Sequence, residues 1–498
     1  MNNTEENNND MATCGGACSY KDRKKNKNLK GDNFKSIGSF HTDPIIELIL
    51  KEKELLKNES IENQINQFKE KDPSENLLNN FEKSLITENT QKNYSIENLS
   101  NINLENSNEL KKLFMQDPET IYLNHGAFGS PFLESYNYAE EIRRKVELNP
   151  VKFFDRDLFP YLAKTIVKIA NLLNCDPLNL MPLGNATSGL NAIFRSLSQQ
   201  LKKVVCFDIT YSATPLIIEE LLPLEFNKPE IINIPLKYLK SEKIDDLINY
   251  IRESIPLDAD MVVLDHISSQ SAILFPIKEL IESIRNKFSS VNKEIIILID
   301  GAHAPGSIKV NIDELKADFY VGNLHKWLCS PRGGGFIYIN QKHIAKIKGA
   351  IVSHGHGNKN NLMDSFYWDG NRDYSGFISA LKTFDIWEVL EKKNVYEFLK
   401  NKLKICAEYI CQKLNVKTLF SIDLYNSTMV FLPLSTKFQQ FTAKTIQDWL
   451  HFEHKIEITI KNVYEKNCMR LSVHLYNSIE DIEKLVSILL EKDIKLDI

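Results

Sequence analysis

No apolar run in this chain reaches the roughly 18 residues that a membrane-spanning helix needs, so no contact with a membrane interior is expected. Neither sign of charge dominates. A formal net charge of -5 over 498 residues gives no global basic balance of the kind that carries nucleic-acid or membrane-surface binding. Cysteine is sparse: Cys14, Cys18, Cys175, Cys206, Cys329, Cys406, Cys411 and Cys468 are scattered too widely for a disulfide framework and fit reduced thiols. Cys14 and Cys18 lie close enough to share a metal, but no second pair follows at zinc-site spacing, and no metal is expected. The opening residues, MNNTEENNND, contain neither the apolar core of a secretory signal nor an Arg-rich, acid-poor transit pattern, so a cytoplasmic location is expected.

What is there divides into three. Residues 1–109 are rich in Asn, Lys, Glu and Ser and poor in aromatics, a composition that buries too little apolar surface to offset chain entropy. A largely disordered tail is expected, with short helical patches in DPIIELILKEKELLKN and NLLNNFEKSLI. The basic run KDRKKNKNLK reads as a solvated tail or a nuclear-targeting patch. From Ile121 the texture becomes α/β. KVVCFD, EIINI, MVVLDH and EIIILID are short apolar runs bounded by turn residues, and segments of helical periodicity separate them. That alternation predicts crossover units and a mostly parallel sheet covered by helices, within a large domain over 110–370. Residues 371–498 read as a smaller α+β domain: a long helical stretch, the strands STMVFLPL and CMRLSVHLY, and the closing helix SIEDIEKLVSILLEK.

Parallel sheets bind ligands beyond the carboxyl ends of their strands. EIIILID ends there on Asp300, followed by GAHAPG with His303. An aspartate closing a buried strand needs a partner, although a turn or helix cap would equally use one, and His303 equally suits a core. The next strand runs into GNLHKWL, which places Lys326 between apolar segments. A desolvated lysine has its pKa lowered and becomes a nucleophile able to form a Schiff base. An aspartate for a ring nitrogen and a lysine for an aldehyde together describe a pyridoxal phosphate site. MPLGNATSGLNAIF adds a glycine-containing loop and Thr187 opening a helix whose free amides favour an anion, with Asn323 and His325 as further donors. An ordinary capped helix reads the same way.

The motifs YLNHGAFGSP, NATSGLN, DHISSQSAILFP, DGAHAPG, GNLHKWL with PRGGGFIYI, FYWDGNRDYS and MRLSVHLYN resemble, in order, those of class V aminotransferase-like enzymes. These are pyridoxal phosphate enzymes of fold type I. Within them the chain is similar to the isopenicillin N epimerase-like branch, which includes ergothioneine-pathway C–S lyases and cysteine desulfhydrases. The resemblance spans residues 119 to about 490 and implies a seven-stranded-type sheet, pyridoxal 5'-phosphate as cofactor, and a homodimer. It implies Lys326 as the Schiff-base lysine, Asp300 on the ring nitrogen and His303 near the phenolic oxygen. Ala186, Thr187, Asn323 and His325 would meet the phosphate, Tyr211 the ring face and Ser269 a cofactor oxygen. Arg470 would grip the substrate α-carboxylate, beside a segment of Asn124, His125 and Gly126. One position departs: the chain has GNRD where the family has GTRD, so Asn371 would replace the threonine that reaches the neighbouring subunit's phosphate. His354 and His356 in SHGHGN suit either a pocket lining or a solvated loop.

The expected reaction begins with proton removal from Cα of an amino acid. A C–S β-lyase releasing pyruvate and ammonia needs only Lys326 as base and is the leading expectation. An epimerase, the alternative, needs a second group on the opposite face. A cysteine desulfurase would want a cysteine on a small-domain loop, and residues 433–445, PLSTKFQQFTAKT, contain none. Transamination is less favoured by the branch, and a catalytically silent scaffold is opposed by the Asp300–Lys326 pair.

Overall fold

The computed structural model describes residues 45–58, 99–241, 243–356, 364–425 and 427–495. Cys14, Cys18, the basic run and the NLLNNFEKSLI patch lie outside them. Strand β1 (Ile121–Tyr122) precedes the seven strands of the main sheet: β2 (Leu180–Leu183), β3 (Val204–Phe207), β4 (Glu230–Ile232), β5 (Met261–Asp265), β6 (Ile296–Asp300), β7 (Phe319–Asn323) and β8 (Gly335–Ile339). Their order is β2-β8-β7-β6-β5-β3-β4, and β8 alone runs antiparallel to its neighbours. The fold is α/β with a mixed, mostly parallel sheet, as the alternation predicts, and its seven strands match what the resemblance implies. β5 to β8 are buried on both faces apart from the first residue of β6, which is why they read as near-continuous apolar runs.

Among the helices, α1 (Ile45–Asn58) precedes α2 (Leu158–Leu173), and α3 (Ala186–Leu197) follows β2. α4 (Ala213–Leu221), α5 (Ile244–Ser254) and α6 (Ile277–Ser289) make the crossovers from β3 to β6. α3 packs on β7 and β8 through Leu190, Ile193, Phe194 and Leu197, spaced for one helix face. Each such side chain contributes about 1.5–3 kcal/mol by burial, so the helix that aims its amino end at the site is firmly held. Within the stretch whose composition predicts a tail, α1 docks against α2 and buries Ile45 and Ile49. Leu99, Ile102 and Leu104 are buried as well.

The C-terminal part contains α7 (Ala380–Lys392), α8 (Val395–Leu414), α9 (Ala443–His454) and α10 (Ile479–Lys495). They accompany an antiparallel sheet of β9 (Met429–Pro433), β11 (Thr459–Val463) and β12 (Lys466–Ser472), in the order β11-β12-β9. β10 (Ile456–Glu457) pairs in parallel with β1, so the segment at residues 121–122 is tied to this part of the chain.

Asp318, fully buried just ahead of β7, anchors the sheet's far side. It accepts from Ile297 N at 2.8 Å, Arg285 Nη2 at 3.1 Å, His343 Nε2 at 2.8 Å and Lys342 Nζ at 2.7 Å. Burial alone would raise its pKa, but the bonds from His343, Lys342 and Ile297 outweigh it and hold the carboxyl at about 2. Asp318→Ala is expected to cost about 3 kcal/mol, since it strands a buried amide and its charged partners. The stabilisation is complete above the unfolded value of about 3.9 and is lost as pH falls toward about 2. Denaturant unfolding at pH 7 and at pH 3 checks both statements.

Candidate active site

Lys326 stands in the loop after β7, at the carboxyl end of the parallel strands. Its Nζ lies 3.0 Å from His303 Nε2. Trp327 Nε1 donates to His303 Nδ1 at 3.3 Å, so a neutral His303 carries its proton on Nε2 and points it at the lysine. Burial, with Lys326 and Arg470 adding to it, drives the His303 pKa well below the usual value and keeps the ring neutral. A histidine that can only donate here pairs with the uncharged form of the amine. Burial does lower the Lys326 pKa, to about 8, against the opposing pull of Asp300.

Asp300 closes β6 and takes a bond from Ala302 N at 2.9 Å. Asp265 closes β5 in register beside it, so two buried carboxylates sit at neighbouring strand ends. Asp265 is pushed well up, first by burial and then by Asp300. Asp300 is raised by burial, with the Ala302 amide and Lys326 pulling it back. Thr210 and the Tyr211 amide hold Asp265, tying the end of β3 to the end of β5. A protonated ring nitrogen is a group such a pair of acids would accept.

The phosphate side is built from backbone. Asn185 caps α3, its Oδ1 accepting from Ser188 N at 2.9 Å. Ala186 N already donates to Asn323 Oδ1 at 2.9 Å, so Asn323 fixes the helix end. Thr187 follows in the first turn, where amides lack intrahelical partners. His325 Nδ1 is buried without a hydrogen-bond partner among the described residues. A Cβ built on Gly184 would meet nothing within 4 Å, leaving room before the helix end. Gly335 is needed instead for close approach, because a Cβ there would stand 2.7 Å from Asn185 Cα. The unpaired polar atom of His325, the open space and the helix amides fit a phosphate. The whole set therefore fits pyridoxal 5'-phosphate.

Opposite lies Arg470 on β12, only 3% exposed. Its Nη1 donates to Ser269 O at 3.0 Å and Oγ at 3.3 Å, Nη2 reaches Asn124 Oδ1 at 3.5 Å, and Nε is buried without a partner among the described residues. Ser269 and Asn124 thus orient the guanidinium, and Thr459 Oγ1 donates to Asn124 Oδ1 at 2.6 Å. Gly126 packs against Met429, Ser472 and Trp327. Tyr211, 39% exposed, stands next to the Asp265 carboxylate through its backbone. Asn371 is exposed in a bend next to the Arg372–Asp369 ion pair, and no hydrogen bond joins it to the Lys326 cluster among the described residues. His354 is exposed, whereas His356 Nδ1 is buried and unpaired among the described residues.

His125 is sealed behind the lysine loop instead of facing the open site. Its Nε2 is 3.0 Å from Lys326 O and its Nδ1 2.9 Å from Tyr476 OH. Cys329 Sγ sits 3.7 Å from His125 Nε2 and 3.4 Å from His474 Nε2. Burial lowers the His125 pKa to about 3, so this cluster is neutral and braces the Lys326 backbone. Asp265, Thr210 and Trp327 complete the site beyond the residues that the sequence motifs indicate. Asp265 was legible by the same rule as Asp300, since MVVLD also ends a strand on an acid.

A sequence model of the family described as Aminotransferase class-V matches residues 160–485. The L-cysteine desulfhydrase of Arabidopsis thaliana is 24% identical over 73% of this chain and 86% of its own length. The isopenicillin N epimerase of Amycolatopsis lactamdurans is 22% identical over 75% and 96%. The hercynylcysteine sulfoxide lyase of Schizosaccharomyces pombe is 24% identical over 50% of this chain, which spans 62% of that protein. The probable chloroplastic L-cysteine desulfhydrase of Arabidopsis thaliana is likewise spanned over 60%. Among solved structures, the cystine C-S lyase C-DES with its product cysteine persulfide superposes with a TM-score of 0.61 at 16% identity, covering 75% of this chain and 97% of that one.

Proposed function

The chain belongs to the class-V aminotransferase family, and from that premise we propose a pyridoxal 5'-phosphate enzyme that cleaves the C–S bond of a sulfur-bearing α-amino acid, releasing pyruvate and ammonia. One observation carries the reading: a buried amine with its pKa at about 8, 3.0 Å from a histidine that can only donate to it, in the field of a buried carboxylate. The sulfur-lyase names of two relatives support the same reaction class. When bound, the cofactor supplies an aldehyde for the amino group and a sink for the electron pair left at Cα. Asp300 would hold its ring nitrogen, and the α3 amino end with Thr187, Asn323 Nδ2 and His325 would hold its phosphate.

The chain's own groups then divide the work. Arg470 binds the α-carboxylate with a fork that Ser269 and Asn124 keep in place. Lys326 Nζ takes the Cα proton, and the ammonium so formed can protonate the departing sulfur. His303 Nε2 supplies a fixed N–H beside that nitrogen. Cleavage needs this one base only, which favours it over epimerisation. A desulfurase is not proposed, because the stretch from 433 to 445 lacks cysteine and buries Phe438.

We also propose a homodimer, with Asn371 reaching the partner's phosphate. The exposed apolar residues Phe128, Leu148, Val151, Ile351 and Val352 support it. A cytoplasmic setting is supported by six free cysteines among the described residues. No described helix is long and apolar enough to cross a membrane. The test is incubation of holoenzyme with cysteine, S-alkyl cysteines and their sulfoxides. Pyruvate release is expected. Solvent deuterium at Cα with loss of chirality and no pyruvate would overturn the lyase in favour of an epimerase.

A further inference from the structure

Arg470 is not the only cation in the site that lacks a carboxylate. In the β11–β12 pair Thr459 stands opposite Arg470, so Lys461, two residues along β11, shares the face that carries the arginine. The loop after β5 receives both: Arg470 Nη1 binds Ser269 O, and Lys461 Nζ donates to Gln270 Oε1 at 2.9 Å. No ion pair to Asp or Glu involves either residue among the described residues. Lys168, a buried lysine elsewhere, shows what compensation looks like: Asp385 at 2.8 Å and Glu388 at 3.0 Å. Two unmatched, largely desolvated cations side by side are costly unless a ligand supplies the missing charge. Burial and Arg470 together lower the Lys461 pKa to about 8, and its charge is felt at both Lys326 and His303.

We propose that Lys461 and Gln270 form a second anion subsite, so that the substrate is an α-amino acid whose side chain ends in a carboxylate, sulfinate or sulfonate. With the α-carboxylate on Arg470, the side chain leaving Cα would run along the same sheet face to Lys461. This rests on the amino-acid reading of the site and adds the substrate's charge.

The test compares S-carboxymethyl-L-cysteine with S-ethyl-L-cysteine in full-length holoenzyme, by kcat/KM and by calorimetric Kd. The wild type is expected to favour the anionic compound by about tenfold or more in both. Lys461→Met should bring the two compounds level by raising KM and Kd for the anionic one. Lys461→Arg should keep the preference, which separates lost charge from lost folding. Equal Kd values in the wild type, or an anionic preference that survives Lys461→Met, would overturn the subsite. A Kd preference without turnover of either compound would retain the subsite and overturn the lyase.

Discussion

Lys326→Ala is expected to lower turnover of a sulfur amino acid by about 10²–10⁴-fold, because a placed general base contributes on that scale. The loss should fall on kcat. Arg470, Ser269 and Asn124 bind one another without the lysine, so substrate binding is expected to persist. Lys326→Arg should not rescue, since an arginine stays charged and has no lone pair to offer His303. Far-ultraviolet circular dichroism should match wild type, as the His125 brace engages the backbone carbonyl of residue 326 and not its side chain. Retention of more than a tenth of wild-type turnover would remove the lysine from the chemistry.

Asp300→Asn is the second large effect. The substitution keeps the shape and the Ala302 bond but removes the charge, and turnover is expected to fall by about 10²–10³-fold, the range for loss of one placed electrostatic group. A second readout moves in a defined direction. The Asp300 charge holds the Lys326 pKa up against burial, so its loss should drop that pKa below about 8. Uptake of pyridoxal phosphate by apoprotein needs the uncharged amine. Its rate should rise with pH through about 8 in wild type and do so at lower pH in the variant. An unshifted profile would mean that the two groups do not sense each other.

Much of this site was legible in the sequence because its parts are local. MVVLDH and EIIILID became β5 and β6, and TSGLNAIFRSLSQQL became α3 with the asparagine before it as cap. Strand ends predicted where Asp300 and Lys326 meet, since a parallel sheet delivers every carboxyl end to one edge. What stayed hidden depends on pairing between distant segments. β1 with β10, and the antiparallel β8 between β2 and β7, join residues with no periodic signal in common. The burial of His125 depends on Tyr476 and His474, some 350 residues away, and nothing beside YLNHG announces it. Lys461 lies in IKNVYEK, which reads as an ordinary polar edge until β11 sets it on the Arg470 face. The long helical stretch of the C-terminal part breaks at Asn394, whose φ of 57° no helix accommodates. α1 falls in the helical patch DPIIELILKEKELLKN, but its docking stayed hidden because its two buried isoleucines draw their stability from α2 and not from the segment itself.

The most direct measurement is borohydride reduction of purified protein loaded with pyridoxal 5'-phosphate, followed by peptide mapping. The account predicts one stable phosphopyridoxyl label, on Lys326, and its disappearance in Lys326→Ala. A label on a different lysine, or no label in protein that has taken up the cofactor, would contradict it.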